Sequence, residues 1–286
     1  MILSAVLHLT PTLDMPIPAS LGHKAQGWLL NEVHKYLPSL AERLHQQGGY
    51  TVSGVHRQIK GKPGKYYLRV TSLVSDLTDV LLEAVLPNTH TISFSPRKES
   101  KQQAAPEEKT FPDFEVNGYA TSASDHPLAS ITSFAAVVQS AGCSDTLRIT
   151  FTSPTAFGSN GIDQPLPAPA LILRSWWEKW NTFAPNNERI GYPIQQFAQD
   201  SIQITSLSRI HTANWYLPNH ARSTGFSGEI SMRMRPFYEC ENWQAVWDRA
   251  QHDWQVLAAF ALFCGTGRHT GVGMGQTAQS SLLDRP

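Results

Sequence analysis

Near its C-terminus the chain reads Gly265-Thr266-Gly267-Arg268-His269-Thr270-Gly271-Val272-Gly273-Met274-Gly275, two Gly-x-Gly pairs bracketing an insert that holds a further glycine. Lacking Cβ, glycine admits positive φ and lets another group lie directly on the main chain. Successive N–H groups in such a loop converge on an anion, and Arg268 and His269 add charge and donors suited to a phosphate backbone. A dinucleotide-binding loop needs Gly-x-Gly-x-x-Gly between a strand and a helix. Here Thr270 holds the sixth position, and the preceding residues 243–261 carry Trp243, Val246, Trp247, Ala250, Trp254, Leu257, Ala258 and Ala261 at helical steps, one apolar stripe. A short strand-like run, Met274 to Ser281, follows. Helix, glycine loop, strand is the wrong order for a dinucleotide fold; a plain helix C-cap or linker is the bland alternative.

The first half alternates strand and helix patterns. Leu3, Ala5, Leu7 and Leu9 share one strand face, with Ser4 and His8 on the other. A helix begins near Ser20 on the stripe Leu21, Ala25, Trp28, Leu29, Val33 and Tyr36, with His23, Gly27, Leu30 and His34 beside it. Pro38 stops this helix, and Ser39-Leu40-Ala41-Glu42 reads as a capping box opening another, which ends at Gly48-Gly49. His45 thus falls in a last helical turn, where the dipole favours a protonated ring. Tyr50–Val55 and Tyr66–Leu73 read as strands joined by a basic hairpin loop, Ser75–Leu86 as a helix, and Thr91–Ser95 and Phe114–Ala120 as strands flanking the polar stretch 96–112. That βαββαβ order is the ferredoxin-like unit.

The pattern restarts near Ser140–Asp145, predicting domains 1–140 and 141–286. Leu147–Thr152, Ile202–Ser206, Asn214–Leu217 and Gly225–Arg235 read as strands, the last placing Arg233 and Arg235 on one face. Leu171–Phe183 is a helix with Trp176, Trp177 and Trp180, residues for core packing or base stacking. The fold class predicted is α+β, two tandem ferredoxin-like domains with a C-terminal glycine-rich loop.

Lys plus Arg equals Asp plus Glu at 23 each, so no global basic charge announces nucleic acid. Residues 1–70 nevertheless hold eight basic side chains against three acidic ones. The separated Cys143, Cys240 and Cys264 form neither a disulfide framework nor a zinc spacing, which predicts a reduced, cytoplasmic setting. The N-terminal apolar run lacks a basic leader, and no apolar run approaches membrane-spanning length.

The doubled glycine pairs resemble the loop of the CRISPR-associated endoribonucleases that cut precursor CRISPR RNA within its repeats, members of the repeat-associated superfamily of RNA-binding proteins. That loop reads Gly-hydrophobic-Gly, a short insert often containing Arg or Lys, then Gly-hydrophobic-Gly; Thr266 departs mildly. Leu44-His45-Gln46-Gln47-Gly48-Gly49-Tyr50-Thr51-Val52-Ser53 resembles the segment carrying the family's catalytic histidine, which implies that role for His45. Leu30 stands where some members have a tyrosine, and no lysine matches the position just after the glycines. Helical geometry therefore nominates His34, on the Leu30 stripe, as a second catalytic group, with His23 and Lys24 as alternatives. Ser153-Pro154-Thr155-Ala156-Phe157 also looks like the family's second-domain start.

The resemblance implies a metal-independent endoribonuclease without cofactor, bound to precursor CRISPR RNA and to further CRISPR effector subunits, monomeric or homodimeric. RNA contacts are expected from Gly265, Gly267, Arg268, His269, Gly271, Gly273 and Gly275, and from Arg57, Lys60, Arg233 and Arg235. The runner-up is a non-catalytic RNA-binding subunit of a CRISPR interference complex.

Overall fold

A computed structural model describes residues 1–18, 21–58, 61–94, 111, 113–159, 162–217 and 221–283. Lys60, the helix start at Ser20 and most of the 96–112 stretch lie outside them. The first half comprises β1 (Ile2–Pro11), α1 (Gly22–Tyr36), α2 (Pro38–Gln47), β2 (Tyr50–Arg57), β3 (Tyr66–Ser72), α3 (Ser75–Val80), a π-helical turn at Leu81–Val85, α4 (Leu86–Asn88), β4 (Thr91–Ile92), β5 (Phe114–Ala120), β6 (Ser130–Thr132) and α5 (Phe134–Ser140). The second comprises β7 (Thr146–Thr155), β8 (Phe157–Ser159), β9 (Ile162–Gln164), α6 (Pro169–Phe183), α7 (Ile194–Ser201), β10 (Ile202–Tyr216), β11 (Arg222–Met234), α8 (Trp247–Cys264), β12 (Thr277–Gln279) and α9 (Ser280–Leu283). One antiparallel sheet runs β2-β3-β1-β5-β4, with β6 also on β1, and the other runs β10-β11-β7-β12. Each half therefore sets its second, third, first and last main strands in the same order, the two ferredoxin-like units expected from the sequence.

Local signals were partly overridden. Ser39 caps nothing: α2 opens at Pro38 itself, whose missing N–H costs nothing in a first turn, and the preceding Leu37 offers no side-chain cap. The segment read as one helix from Ser75 to Leu86 contains the π turn, and the strand read at Thr91–Ser95 is only Thr91–Ile92 among the described residues. The two short strands read at Ile202–Ser206 and Asn214–Leu217 are one strand, β10, carried past its register shifts by Arg209 in a left-handed conformation (φ 53°). Pairing with the long β11 holds a segment together that has too little periodicity to read as one strand.

Both faces of β1 are buried, not one. Leu3, Ala5, Leu7 and Leu9 pack with Leu29, Val33, Leu40 and Leu44 under α1 and α2. Ile2 and Val6 face the other way and join the core of the second half, with Tyr67, Leu73 and Ala120. The second half thus covers the sheet face that the sequence pattern left polar. Two of the hydroxyls there are paired across it: Ser4 Oγ donates to Leu128 O (2.5 Å) and Thr71 Oγ1 to Phe263 O (2.6 Å). Between the halves runs α8, whose 254–264 stretch is buried at every position except Ala259. A helix apolar all round belongs in an interior, so the single stripe read from the sequence understates it. Trp176 and Trp180 are likewise fully buried, which settles them as core residues.

A polar seam remains inside this interface. His8, Tyr67 and His56 form one cross-strand row, and His126 lies over it with ring centroids 5.2 Å from Tyr67 and 5.9 Å from His8. Burial pushes His56 and His126 down to about 4, reinforced at His56 by Arg69 and at His126 by His8, Lys62 and then Arg69. An unfolded chain takes up these protons near pH 6.5 while the folded chain refuses them, so stability rises with pH across that window. Each ring contributes on the order of 3 kcal/mol, complete above pH 6.5 and lost as pH falls toward 4. Denaturant titrations at pH 7.5 and pH 5 should therefore show a clearly lower midpoint at pH 5, and His126→Phe should shrink the difference. Equal midpoints for the unmodified protein would show that these rings titrate normally.

Candidate functional site

The glycine loop closes the seam between the halves. Gly265 ends α8 with φ +62° and donates to Ala261 O (2.9 Å). The two glycine pairs then cross: Thr266 N donates to Gly275 O (2.8 Å), and a Cβ on Gly275 would lie 2.0 Å from Thr266 O. The segment flagged as a domain start receives both limbs, with Gly275 N on Pro154 O (2.9 Å) and Arg268 N on Ala156 O (3.0 Å). On the other side Gly273 bridges to Ser53 of β2, and a Cβ on Gly22, the first residue of α1, would sit 2.0 Å from Val272 O. Of the glycines expected to contact RNA, Gly265, Gly267 and Gly275 thus lie closest to the protein's own backbone.

Helix α6 clamps the first glycine turn. Ser175 Oγ accepts from Gly267 N (2.7 Å), Trp176 Nε1 donates to Thr266 Oγ1 (2.7 Å), and Lys179 Nζ reaches Cys264 O (2.9 Å), Gly265 O and Gly267 O (both 3.3 Å). Burial lowers the pKa of Lys179, and the helix-end carbonyls are the partners that keep its charge tolerable inside. Trp215 Nε1 on Val272 O (2.8 Å) secures the far limb. Sequence reasoning missed Gly22, Ser175, Lys179 and Trp215 in these roles. Only the close spacing of Ser175, Trp176 and Lys179 on one helical face hinted at them.

What the loop offers outward is its insert. Arg268 is exposed and His269 half-buried in a left-handed conformation (φ 60°). Arg268 Nη1 is paired to Asp163 Oδ1 (3.0 Å), and Asp163 Oδ2 accepts from Ser223 Oγ (2.7 Å) and Thr224 N (3.2 Å). A phosphate reaching Arg268 exchanges with a carboxylate already in place. Gly271 faces α1 and β2, where Gln26 Nε2 donates to the Tyr50 hydroxyl (2.8 Å). His45 is exposed in the last turn of α2, five positions before Tyr50, and Gly48 and Gly49 between them have φ of +72° and +90°. His34 is exposed in the last turn of α1. His23, beside Gly22, is half-buried with Nδ1 unpartnered, and burial, then Lys24, lowers its pKa.

The arginines of β11 stand apart from the loop. Gly273 is reached from Trp215, opposite Ser223 at the start of β11, whereas Arg233 lies ten residues further on, about 30 Å at strand rise. Arg233 pairs with Asp145 (3.1 Å), and Arg235, past the strand end, with Glu239 (3.1 Å). Arg57 is exposed at the end of β2. Arg69, part of the basic excess of residues 1–70, is buried and donates to Gln276 Oε1 (2.7 and 3.1 Å).

Residues 149–277 match the family model of the CRISPR-associated endoribonuclease Cas6. That match makes the second half of the chain similar to Cas6. The Cas6 segment runs from within β7 to the start of β12 and contains the α6 clamp and the whole glycine loop. Solved structures share the fold across nearly the full chain. A Cas6 product complex has a TM-score of 0.73 at 22% identity, covering 97% of this chain and 99% of that one. Thermus thermophilus Cas6 gives 0.70 at 22%, covering 97% and 98%. A Cas6-related protein from Pyrococcus furiosus gives 0.60 at 11%, covering 98% of each chain. No curated protein sequence matches. No helix among the described residues is long and apolar enough to cross a membrane.

Proposed function

We propose that this chain is a Cas6-type, metal-independent endoribonuclease that cuts repeats in precursor CRISPR RNA. The reading rests on the family match over a glycine loop whose insert, Arg268 to Gly271, is turned outward beside α1 and β2. RNA carries its own nucleophile: the 2′-OH attacks the adjacent phosphorus once a base takes its proton, and an acid protonates the departing 5′ oxygen. The upstream product then ends in a 2′,3′-cyclic phosphate and the downstream product in a 5′-hydroxyl. His45 serves as base or acid, since an imidazole takes up a proton on one ring nitrogen or gives one up from it. Arg268, and the N–H groups of the insert, stabilise the charge gathering on the phosphorane oxygens.

A second group must handle the other proton, because Leu30 cannot. His34 and His23 are eleven residues apart on α1, about 16 Å along the axis, so one scissile phosphate is reached by only one of them. We assign the role to His34, with His23 the alternative. Purified protein incubated with repeat RNA in EDTA should release the cyclic-phosphate product, and His34→Ala should slow that release in single turnover. Tight binding without cleavage would instead make the chain a non-catalytic RNA-binding subunit, and an unaffected His34→Ala beside a slow His23→Ala would move the role.

A further inference from the structure

A groove of about 640 Å³ runs along α1. One wall is the α1 face carrying Lys24, Gly27, Asn31 and Lys35; the other is the α4 to β4 segment, with Asn88 and His90. Trp28 and Phe94 close the floor, only 8% and 3% exposed, so they offer ring edges and no open stacking platform. Among the described lining residues the single carboxylate is Glu32, with both oxygens held by Lys35 Nζ at 2.6 Å. Lys24 lies with its ammonium 5.7 Å above the Phe111 ring. A volume in the range of small-ligand sites, whose described lining is cations, amides, hydroxyls and one paired acid, suits a phosphodiester chain with exposed base edges.

Its position relates it to the loop. Gly22, against Val272 and Gly273, immediately precedes His23, the first groove residue. From His23 to Lys35 the groove follows twelve residues of helix, about 18 Å, longer than one nucleotide. We propose that this groove binds a single-stranded segment of the RNA flanking the cleavage point, with Lys24 on a phosphate and the asparagines on base edges, which only unpaired bases present fully. This rests on the RNA-processing reading for its biological role, but its binding test is independent of cleavage.

Gly27 makes the test clean. A Cβ there meets nothing within 4 Å, so Gly27→Leu projects a side chain into the groove without clash, and leaving glycine favours the helix. Binding of a fluorescein-labelled, unstructured 12-nucleotide RNA is measured by anisotropy, with thermal denaturation alongside. Gly27→Leu should weaken binding about tenfold or more, as expected when one or two base-edge hydrogen-bonding contacts are lost, with Tm unchanged or raised. Lys24→Ala should flatten the slope of log K against log salt by about 0.7, one single-strand phosphate. Wild-type affinity for Gly27→Leu, or no binding of this RNA by the unmodified protein, would overturn the groove. Cleavage of repeat RNA in EDTA is scored separately: loss of that activity alone sinks the nuclease reading and leaves the groove standing.

Discussion

Replacing His45 with alanine is expected to slow single-turnover cleavage of repeat RNA by about 10²–10⁴-fold, the usual worth of a positioned acid or base, with RNA affinity held within a few-fold. The separation follows from where His45 sits. It is exposed in the last turn of α2, outside the core formed by Leu40, Ala41 and Leu44, so truncating it leaves no cavity and removes no packing. A rate loss with unchanged binding is a transition-state effect. Parallel losses of binding and rate would make His45 a binding residue, and an unchanged rate would end its catalytic assignment.

The second large effect is on stability and lies at Gly275. Valine there meets two obstacles together: φ of +65°, which a β-branched residue rarely tolerates, and a Cβ 2.0 Å from the Thr266 carbonyl oxygen. The obstacle is backbone, fixed in turn by Trp176 and Thr277 through the Thr266 hydroxyl, so no side chain can swing away. Strain at the conformation and loss of the Thr266 to Gly275 hydrogen bond together cost on the order of 4 kcal/mol. For a chain of this size that is a fall in Tm of roughly 10 °C. Gly27→Ala, open on all sides, is the matched control and should not lower Tm. A Gly275→Val protein melting with the control would show that the loop bends freely. At Gly275, as at Gly22 across the seam, the close neighbour is the protein's own backbone, so a side chain at either position meets the fold itself.

Short-range chemistry was legible in the chain alone. Alternation in Leu3 to Leu9 and in Ile230 to Met234, the helical stripe from Leu21 to Val33, and the glycines after His45 each concern residues a few positions apart, and the structure keeps them as β1, β11, α1 and the end of α2. The doubled glycine pairs also announced a close approach, because only glycine fits one. Which backbone would approach was beyond the sequence. The partners are Pro154, Ala156, Ser175, Lys179 and Gly22, up to some 250 positions away, and no periodicity connects them. The same holds for Arg69, Ser4 and Thr71, polar by type and alternation yet buried, because the second half lies over the sheet face that a lone ferredoxin-like unit would leave to water. Local pattern chose the elements; the contact of two sheets through α8 chose which polar residues are interior and which, like His45 and Arg268, stay exposed.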